Sequence, residues 1–335
     1  MQNRQIRLAS RPIGLPVPEN WSLVTEEVPQ LEDGDVLVKI ELISMDPAMR
    51  GWMNDRPSYA PPVQIGAVMR AGAGGVVVES RHKDFNPGDH VIGTIGAQEY
   101  YLARNGKGIT RVDTRLAPLS IHMGVLGMAG LTAYFGLLEV GALKPGEMVV
   151  VSGAAGAVGS AVGQIAKIKG ARAVGIAGGP EKCRYIVEEL GFDAAIDYQA
   201  QDWKTALRQA CPEGLDVYFD NVGGEMLNTC LTMLRMKARV VICGAISQYN
   251  SETRTEGPSN YMALLVSRAR MEGFLVFDYA NQYRAALSEM AGWVTEGRLK
   301  SRESIVEGSL EDFNSTFLRL FDGNKLGKLL LRIAG

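Results

Sequence analysis

Hydrophobic and polar positions fall into two textures that change near residue 125. Before it, short partly alternating runs sit between turn signals. Residues 36–43 alternate as a half-buried strand does. Residues 75–78 and 90–92 read as further strands, with Pro87-Gly88-Asp89 turning the chain into the second. Short strands between Gly- and Pro-rich turns predict a compact barrel-like β domain. After residue 125, apolar runs alternate with helical spacing. Met148-Val149-Val150-Val151-Ser152 is too short for a helix and rich in β-branched residues. Residues 158–169 follow with helical periodicity. Further strands are predicted at 172–177, 194–197, 215–220, 239–243 and 273–277, with helices at 181–190, 203–211 and 225–236. Buried runs separated by helices imply a parallel sheet covered on both faces, with about the six strands of a doubly wound α/β fold. The tail, 308–335, returns to strand-and-helix texture without the repeat, and is expected to rejoin the first domain.

Composition narrows the class. Of the 335 residues, 46% are apolar and 21% charged, so disorder is excluded along most of the chain. The net charge is −2 with both signs interspersed, and no Lys/Arg block argues for nucleic acid. No run approaches the roughly 18 uncharged apolar residues of a membrane span, and Met1–Leu8 leads into Ala9-Ser10-Arg11-Pro12 rather than an apolar signal core. Cys183, Cys211, Cys230 and Cys243 are widely spaced without a C-x-x-C pair, as expected of reduced thiols in a cytoplasmic protein.

The strongest motif is Ser152-Gly153-Ala154-Ala155-Gly156-Ala157-Val158-Gly159, a glycine loop leaving an apolar strand and opening a helix. In that context, Gly156 permits close backbone approach. The helix N-terminus at Ala157, Val158 and Gly159 offers unpaired N–H groups to a pyrophosphate. The competing reading, a tight turn without a ligand, is disfavoured by the repeating strands that follow. An NAD site calls for a carboxylate at the end of the second strand. Here that strand ends Gly175-Ile176-Ala177-Gly178-Gly179-Pro180, and Lys182 follows, so NADP is expected.

No metal site is expected. His82, His90 and His122 form no ligand cluster, and the cysteines all lie in the second half. Polarisation of a substrate carbonyl then falls to hydrogen-bond donors. Ligands of doubly wound sheets meet loops at the carboxyl ends of strands. Two such loops stand out. Cys243-Gly244-Ala245-Ile246-Ser247-Gln248-Tyr249-Asn250 carries a phenol able to bond a developing enolate, although a single tyrosine equally suits an amphipathic surface or interface position. Asp220-Asn221-Val222-Gly223-Gly224 places Asn221 to contact ribose or nicotinamide, although this stretch also suits a plain turn.

With these residues in view, the chain resembles the zinc-independent double-bond reductases of the medium-chain dehydrogenase/reductase superfamily. That group includes leukotriene B4 12-hydroxydehydrogenase/prostaglandin reductases and curcumin-type enone reductases. The resemblance covers nearly the whole chain. It rests on Ser44-Met45-Asp46-Pro47-Ala48-Met49-Arg50-Gly51, Gly130-Leu131-Thr132-Ala133-Tyr134-Phe135-Gly136, the Gly153–Ser160 loop, Phe219–Gly224, Cys243–Asn250 and Gly323-Asn324-Lys325-Leu326-Gly327-Lys328.

It implies a doubly wound Rossmann domain (126–304) inserted in a GroES-like β-barrel substrate domain (1–125 plus 305–335). It also implies 2′-phosphate contacts at Lys182 and Tyr198. Nicotinamide contacts fall on Asn221, on the loop of Cys243, Gly244, Ala245, Ile246 and Ser247, on Phe274, Leu275 and Val276, and on Asn324. The catalytic tyrosine falls on Tyr249, and Arg50, Tyr59 and Met128 fall at pocket-lining positions. Zinc-bearing relatives begin the segment at Met45 with a ligand cysteine and carry Gly-His-Glu in the place of Met69-Arg70-Ala71, and both signals are missing here. Gly153 departs from the alanine of many members.

The expected function is NADP(H)-dependent reduction of the carbon–carbon double bond of small-molecule enones or enals, by a homodimer. A quinone reductase of the same superfamily and a catalytically silent NADP-binding sensor are the alternatives.

Overall fold

The computed structural model describes residues 1–335 apart from Arg254, Asn324, Ala334 and Gly335. The chain forms two compact units, Met1–Met123 with Glu303–Gly335, and Gly124–Arg302. The first unit opens with β1 (Gln2–Leu8) and β2 (Trp21–Glu27), an antiparallel pair in unbroken register. Next come β3 (Val36–Ser44), α1 (Ala48–Trp52), β4 (Ala73–Ser80), β5 (His90–Gly93), β6 (Tyr100–Ala103), β7 (Ile109–Val112) and α2 (Leu119–Met123). Strand β3 is buried on both faces. Val36, Val38, Ile40 and Ile43 join the main core of this unit, and Leu42 joins Leu119, Met123 and Leu330 on another side. Gly75 allows β4 to close on β3, because a Cβ there would lie 1.9 Å from the Lys39 carbonyl oxygen.

The second unit contains α3 (Met128–Phe135), β8 (Met148–Ser152), α4 (Ala157–Ile168), β9 (Arg172–Ala177), α5 (Pro180–Arg184) and β10 (Ala194–Asp197). It continues through α6 (Trp203–Ala210), β11 (Leu215–Asp220), α7 (Gly224–Leu231), β12 (Leu234–Ile242), α8 (Ala263–Ser267), β13 (Arg270–Gly273) and α9 (Tyr283–Thr295). Its six strands are all parallel, in the order β10-β9-β8-β11-β12-β13. This is the dinucleotide-binding order, and its direction reverses between β8 and β11. Helices on both faces bury β8 completely, which is why its apolar run does not alternate.

Two expected elements differ. The helix expected over 225–236 stops at Leu231, because Leu234 already pairs with Leu215 and begins β12. The sixth strand lies at Arg270–Gly273, before the apolar run expected to form it. As an exposed edge strand it carries Arg270 and Glu272, so hydrophobicity did not mark it. The Phe274–Val276 run packs elsewhere: Phe274 lies against Gly136 and 6.4 Å from the Phe219 ring, and Val276 is buried.

Returning to the first unit, β14 (Glu303–Gly308), α10 (Phe313–Leu318) and β15 (Lys328–Ile333) complete the chain. The sheet runs β14-β15-β3-β4-β5-β7, with β6 also on β3. One edge of β3 is shared, Val36–Lys39 taken by β6 and Leu42–Ser44 by β15. Among the described residues the sheet stays open and mixed, without the closed barrel that was expected.

Candidate active site

The crevice of a doubly wound sheet opens at the carboxyl ends of the strands flanking the reversal, here β8 and β11. The loop after β8 is built by glycines. Gly153 adopts φ +61°, and a Cβ on Gly159 would stand 2.4 Å from the Gly153 carbonyl oxygen. Only a bare residue lets α4 start that close to the loop. The first hydrogen bond of α4 runs from Ser160 N–H to Gly156 O. The N–H groups of Ala157, Val158 and Gly159 therefore precede any carbonyl one turn back, and the helix dipole adds positive potential. Twelve residues of α4 stand behind this cradle, which fits the pyrophosphate of a dinucleotide.

Asp220 at the end of β11 ties the neighbouring loops together. Its Oδ1 accepts from Ser152 Oγ at 2.8 Å, Tyr218 OH at 2.9 Å, and the Val222 and Gly223 N–H groups at 3.0 Å. Bonds to a charged acceptor contribute about 1.5–3 kcal/mol each. Together they offset the several kcal/mol that burying the carboxylate costs. Ser152 Oγ also accepts from Asn221 N–H, and Asn221 Nδ2 donates to Ser152 O at 2.7 Å. The Asn221 amide nitrogen is thereby turned to β8. Sequence reading singled out Asn221 and passed over Asp220 beside it, whose role depends on partners 68 positions away in β8.

The loop after β12 is stapled along the same turn. Cys243 and Gly244 N–H donate to Asp220 O, Ile246 N–H to Asn221 O, and Ser247 N–H and Oγ to Val222 O. This continues the β11–β12 pairing past both strand ends and carries the chain to Tyr249. The half-buried phenol folds back on its own loop, where its oxygen accepts from Ala245 N–H at 3.2 Å. Burial, reinforced by the Asp220 charge, pushes the Cys243 thiol up to about 12, so it stays protonated and unreactive.

Beyond the end of β9, Gly178 and Gly179 lead into α5, which carries Lys182. Tyr198 and Gln199 follow β10 on the adjacent loop. Phe274, Leu275 and Val276 leave β13, with Val276 buried and the other two half-buried. Among the pocket candidates of the first unit, Arg50 is buried and bound. Its guanidinium donates to Gly14 O at 3.0 Å, Pro12 O at 3.1 Å and Asn54 Oδ1 at 2.8 Å, which holds the 12–14 segment. Tyr59 is exposed and accepts from Trp52 Nε1 at 3.0 Å, beside the Arg70 guanidinium on the Trp52 ring. Met128 is exposed at the start of α3 in the second unit. Asn324 lies outside the described residues.

Residues 4–112 match the family described as N-terminal domain of oxidoreductase, and residues 157–292 match that described as zinc-binding dehydrogenase. The chain is 44% identical to the NADPH-dependent curcumin reductase of Escherichia coli, over 100% of this chain and 98% of that one. It is 40% identical to prostaglandin reductase 1 of Rattus norvegicus, over 95% of each. The crystal structure of CurA in complex with NADPH from Vibrio vulnificus superposes with a TM-score of 0.93 at 40% identity, over 99% of both chains. The chain belongs to the zinc-independent medium-chain dehydrogenase/reductase family. The zinc-binding description of the second match has no counterpart in ligands here. Among the described residues no three His, Cys, Asp or Glu side chains gather as a metal site. Met45 and Met69, where zinc-bearing relatives are expected to begin ligand segments, are buried in the core of the first unit.

Proposed function

We propose that this protein is an NADPH-dependent reductase of the carbon–carbon double bond in α,β-unsaturated ketones and aldehydes. The observation that carries the reading is the phenol of Tyr249, held by Ala245 N–H on the loop that leaves the carboxyl end of β12, in a chain matched over its whole length by such reductases. NADPH supplies the hydride. The N–H groups of Ala157, Val158 and Gly159 bind its pyrophosphate, Lys182 and Tyr198 its 2′-phosphate, and Asn221 with the 243–247 and 274–276 stretches its nicotinamide half. When hydride reaches the β-carbon of an enone, negative charge develops on the carbonyl oxygen. A preorganised donor aimed at that oxygen lowers the barrier. Tyr249 is that donor, and no metal is called on.

The experiment is NADPH consumption by the purified protein against 2-alkenals, quinones and secondary alcohols with NADP⁺. Fast turnover of the alkenals is expected. Turnover confined to quinones would shift the reading to a quinone reductase, and none at all would favour a sensor.

We also infer a cytoplasmic homodimer acting on small molecules. Four free cysteines suit a reducing compartment, and no helix among the described residues is long and apolar enough to cross a membrane. The exposed edge strand β13 supports a second copy as partner. Antiparallel pairing about a two-fold at Met271 sets Arg270 opposite Glu272 of the other copy, with Leu265 and Val266 exposed nearby.

A further inference from the structure

The corner expected to read the 2′-phosphate holds more than the two residues assigned to it. Asp197, the last residue of β10, accepts from Gly179 N–H at 2.8 Å and from Gln199 N–H at 3.0 Å on the same Oδ1. Tyr198 N–H donates to Ala177 O at 3.1 Å. These bonds clamp the loop leaving β9 to the loop leaving β10, and engage the Asp197 carboxylate with backbone donors.

The clamp leaves Gly178 and Gly179 as a shelf without side chains, flanked by two polar groups. A Cβ on Gly178 would lie 2.9 Å from Tyr198 Cε1 and 3.1 Å from Gln199 Nε2, and one on Gly179 would lie 3.8 Å from Gln199 Oε1. Gly179 also takes φ +87°, which a side chain resists. In the dinucleotide fold the adenosine ribose presents its 2′-substituent to the end of the second strand, here Ala177 in β9. The Gln199 amide therefore lies over the shelf where that substituent arrives, and Gln199 is exposed to it.

We propose that Gln199 is a specificity-determining residue for the 2′-phosphate, its Nε2–H donating to a phosphate oxygen. The proposal rests on the NADPH reading above and gives a role to a residue outside the family's assigned pair, Lys182 and Tyr198. The amide is neutral, so it bonds the phosphate without repelling it. A carboxylate at the same place would repel phosphate and accept from a 2′-hydroxyl, as the acid of NAD sites does. One atom, amide nitrogen against carboxylate oxygen, thus separates the two cofactor preferences at this position.

The test is calorimetric binding of adenosine 2′,5′-bisphosphate and of adenosine 5′-monophosphate to the intact wild-type protein, Gln199→Glu and Gln199→Ala. Circular dichroism of each confirms folding. Wild type is expected to favour the bisphosphate. Gln199→Glu is expected to bind it about tenfold or more weakly, with the monophosphate held or tightened. Gln199→Ala falls between. If wild type favours the bisphosphate and both variants keep that preference, or lose both ligands equally, the role of Gln199 is overturned while the cofactor reading stands. If wild type itself does not distinguish the two, the cofactor reading fails and takes the role of Gln199 with it.

Discussion

Ala245 donates its backbone N–H to the hydroxyl oxygen of Tyr249 over 3.2 Å. The bond holds the phenol through its oxygen, against its own loop. It also stabilises negative charge on that oxygen if the proton is given up. A hydroxyl prepared in this way suits the step in which an enone oxygen becomes an enolate oxygen. Replacing Tyr249 by phenylalanine keeps the ring and deletes the donor. Turnover should fall by roughly 10²–10³, with NADPH affinity and thermal midpoint nearly unchanged. Near wild-type turnover on several enones would remove Tyr249 from the chemistry.

Gly244 should matter for the same reason. A Cβ there would stand 2.9 Å from the Tyr249 hydroxyl, closer than real Cβ atoms come. Gly244→Ala is expected to displace the phenol and lower turnover by about tenfold or more. Combined with Tyr249→Phe it should add little, since both changes act on one hydroxyl. Fully multiplicative losses in the double variant would show that Gly244 acts elsewhere, for example on the cofactor.

Lys182 stands in α5, just beyond the glycine pair that follows β9. Its replacement by alanine removes a charge-assisted contact worth about 1.5–3 kcal/mol. NADPH affinity should drop about tenfold or more, with NADH scarcely affected. Equal losses for both cofactors in a fluorescence titration would count against Lys182 as the phosphate reader.

The cysteines should be bystanders. Burial pushes Cys211 up to about 11 and Cys243 up to about 12, and it also raises Cys183 and Cys230. A raised thiol pKa means scarce thiolate at neutral pH, and thiolate is the form that reacts. Treatment with iodoacetamide at neutral pH should leave turnover intact, and modification should set in as pH rises toward these values. Rapid inactivation at neutral pH, with alkylated Cys243 found by mass spectrometry, would contradict this.

Much of the second unit was legible because its central strands β8, β9 and β11 are almost wholly buried and read as mostly apolar runs. Strand β10, at the sheet edge and half-buried, also stands where it was expected. Strand β13 was misplaced because an exposed edge carries no such run, while the apolar Phe274–Val276 stretch packs as a loop. The chain from Leu234 to Met236 looked helical because it continues the spacing of α7, and only pairing with Leu215 makes it strand. In the candidate site, residues at strand ends and glycine turns could be named by motif. Asp197 and Asp220 could not, because each joins its own loop to a partner distant in sequence, Asp197 to Gly179 N–H and Asp220 to Ser152 Oγ. The glycine pair at Gly178 and Gly179 was visible, but that Gln199 lies over it follows from the clamp alone.

The central claim is that hydride from NADPH goes to the β-carbon of the enone rather than to its carbonyl carbon. Reduction of a 2-alkenone in ordinary water, with NADPH deuterated at the transferable position of nicotinamide C4, tests it directly when the product is read by NMR. The account predicts a saturated ketone with deuterium on the β-carbon and a solvent proton on the α-carbon. An allylic alcohol with deuterium on the carbinol carbon would contradict it.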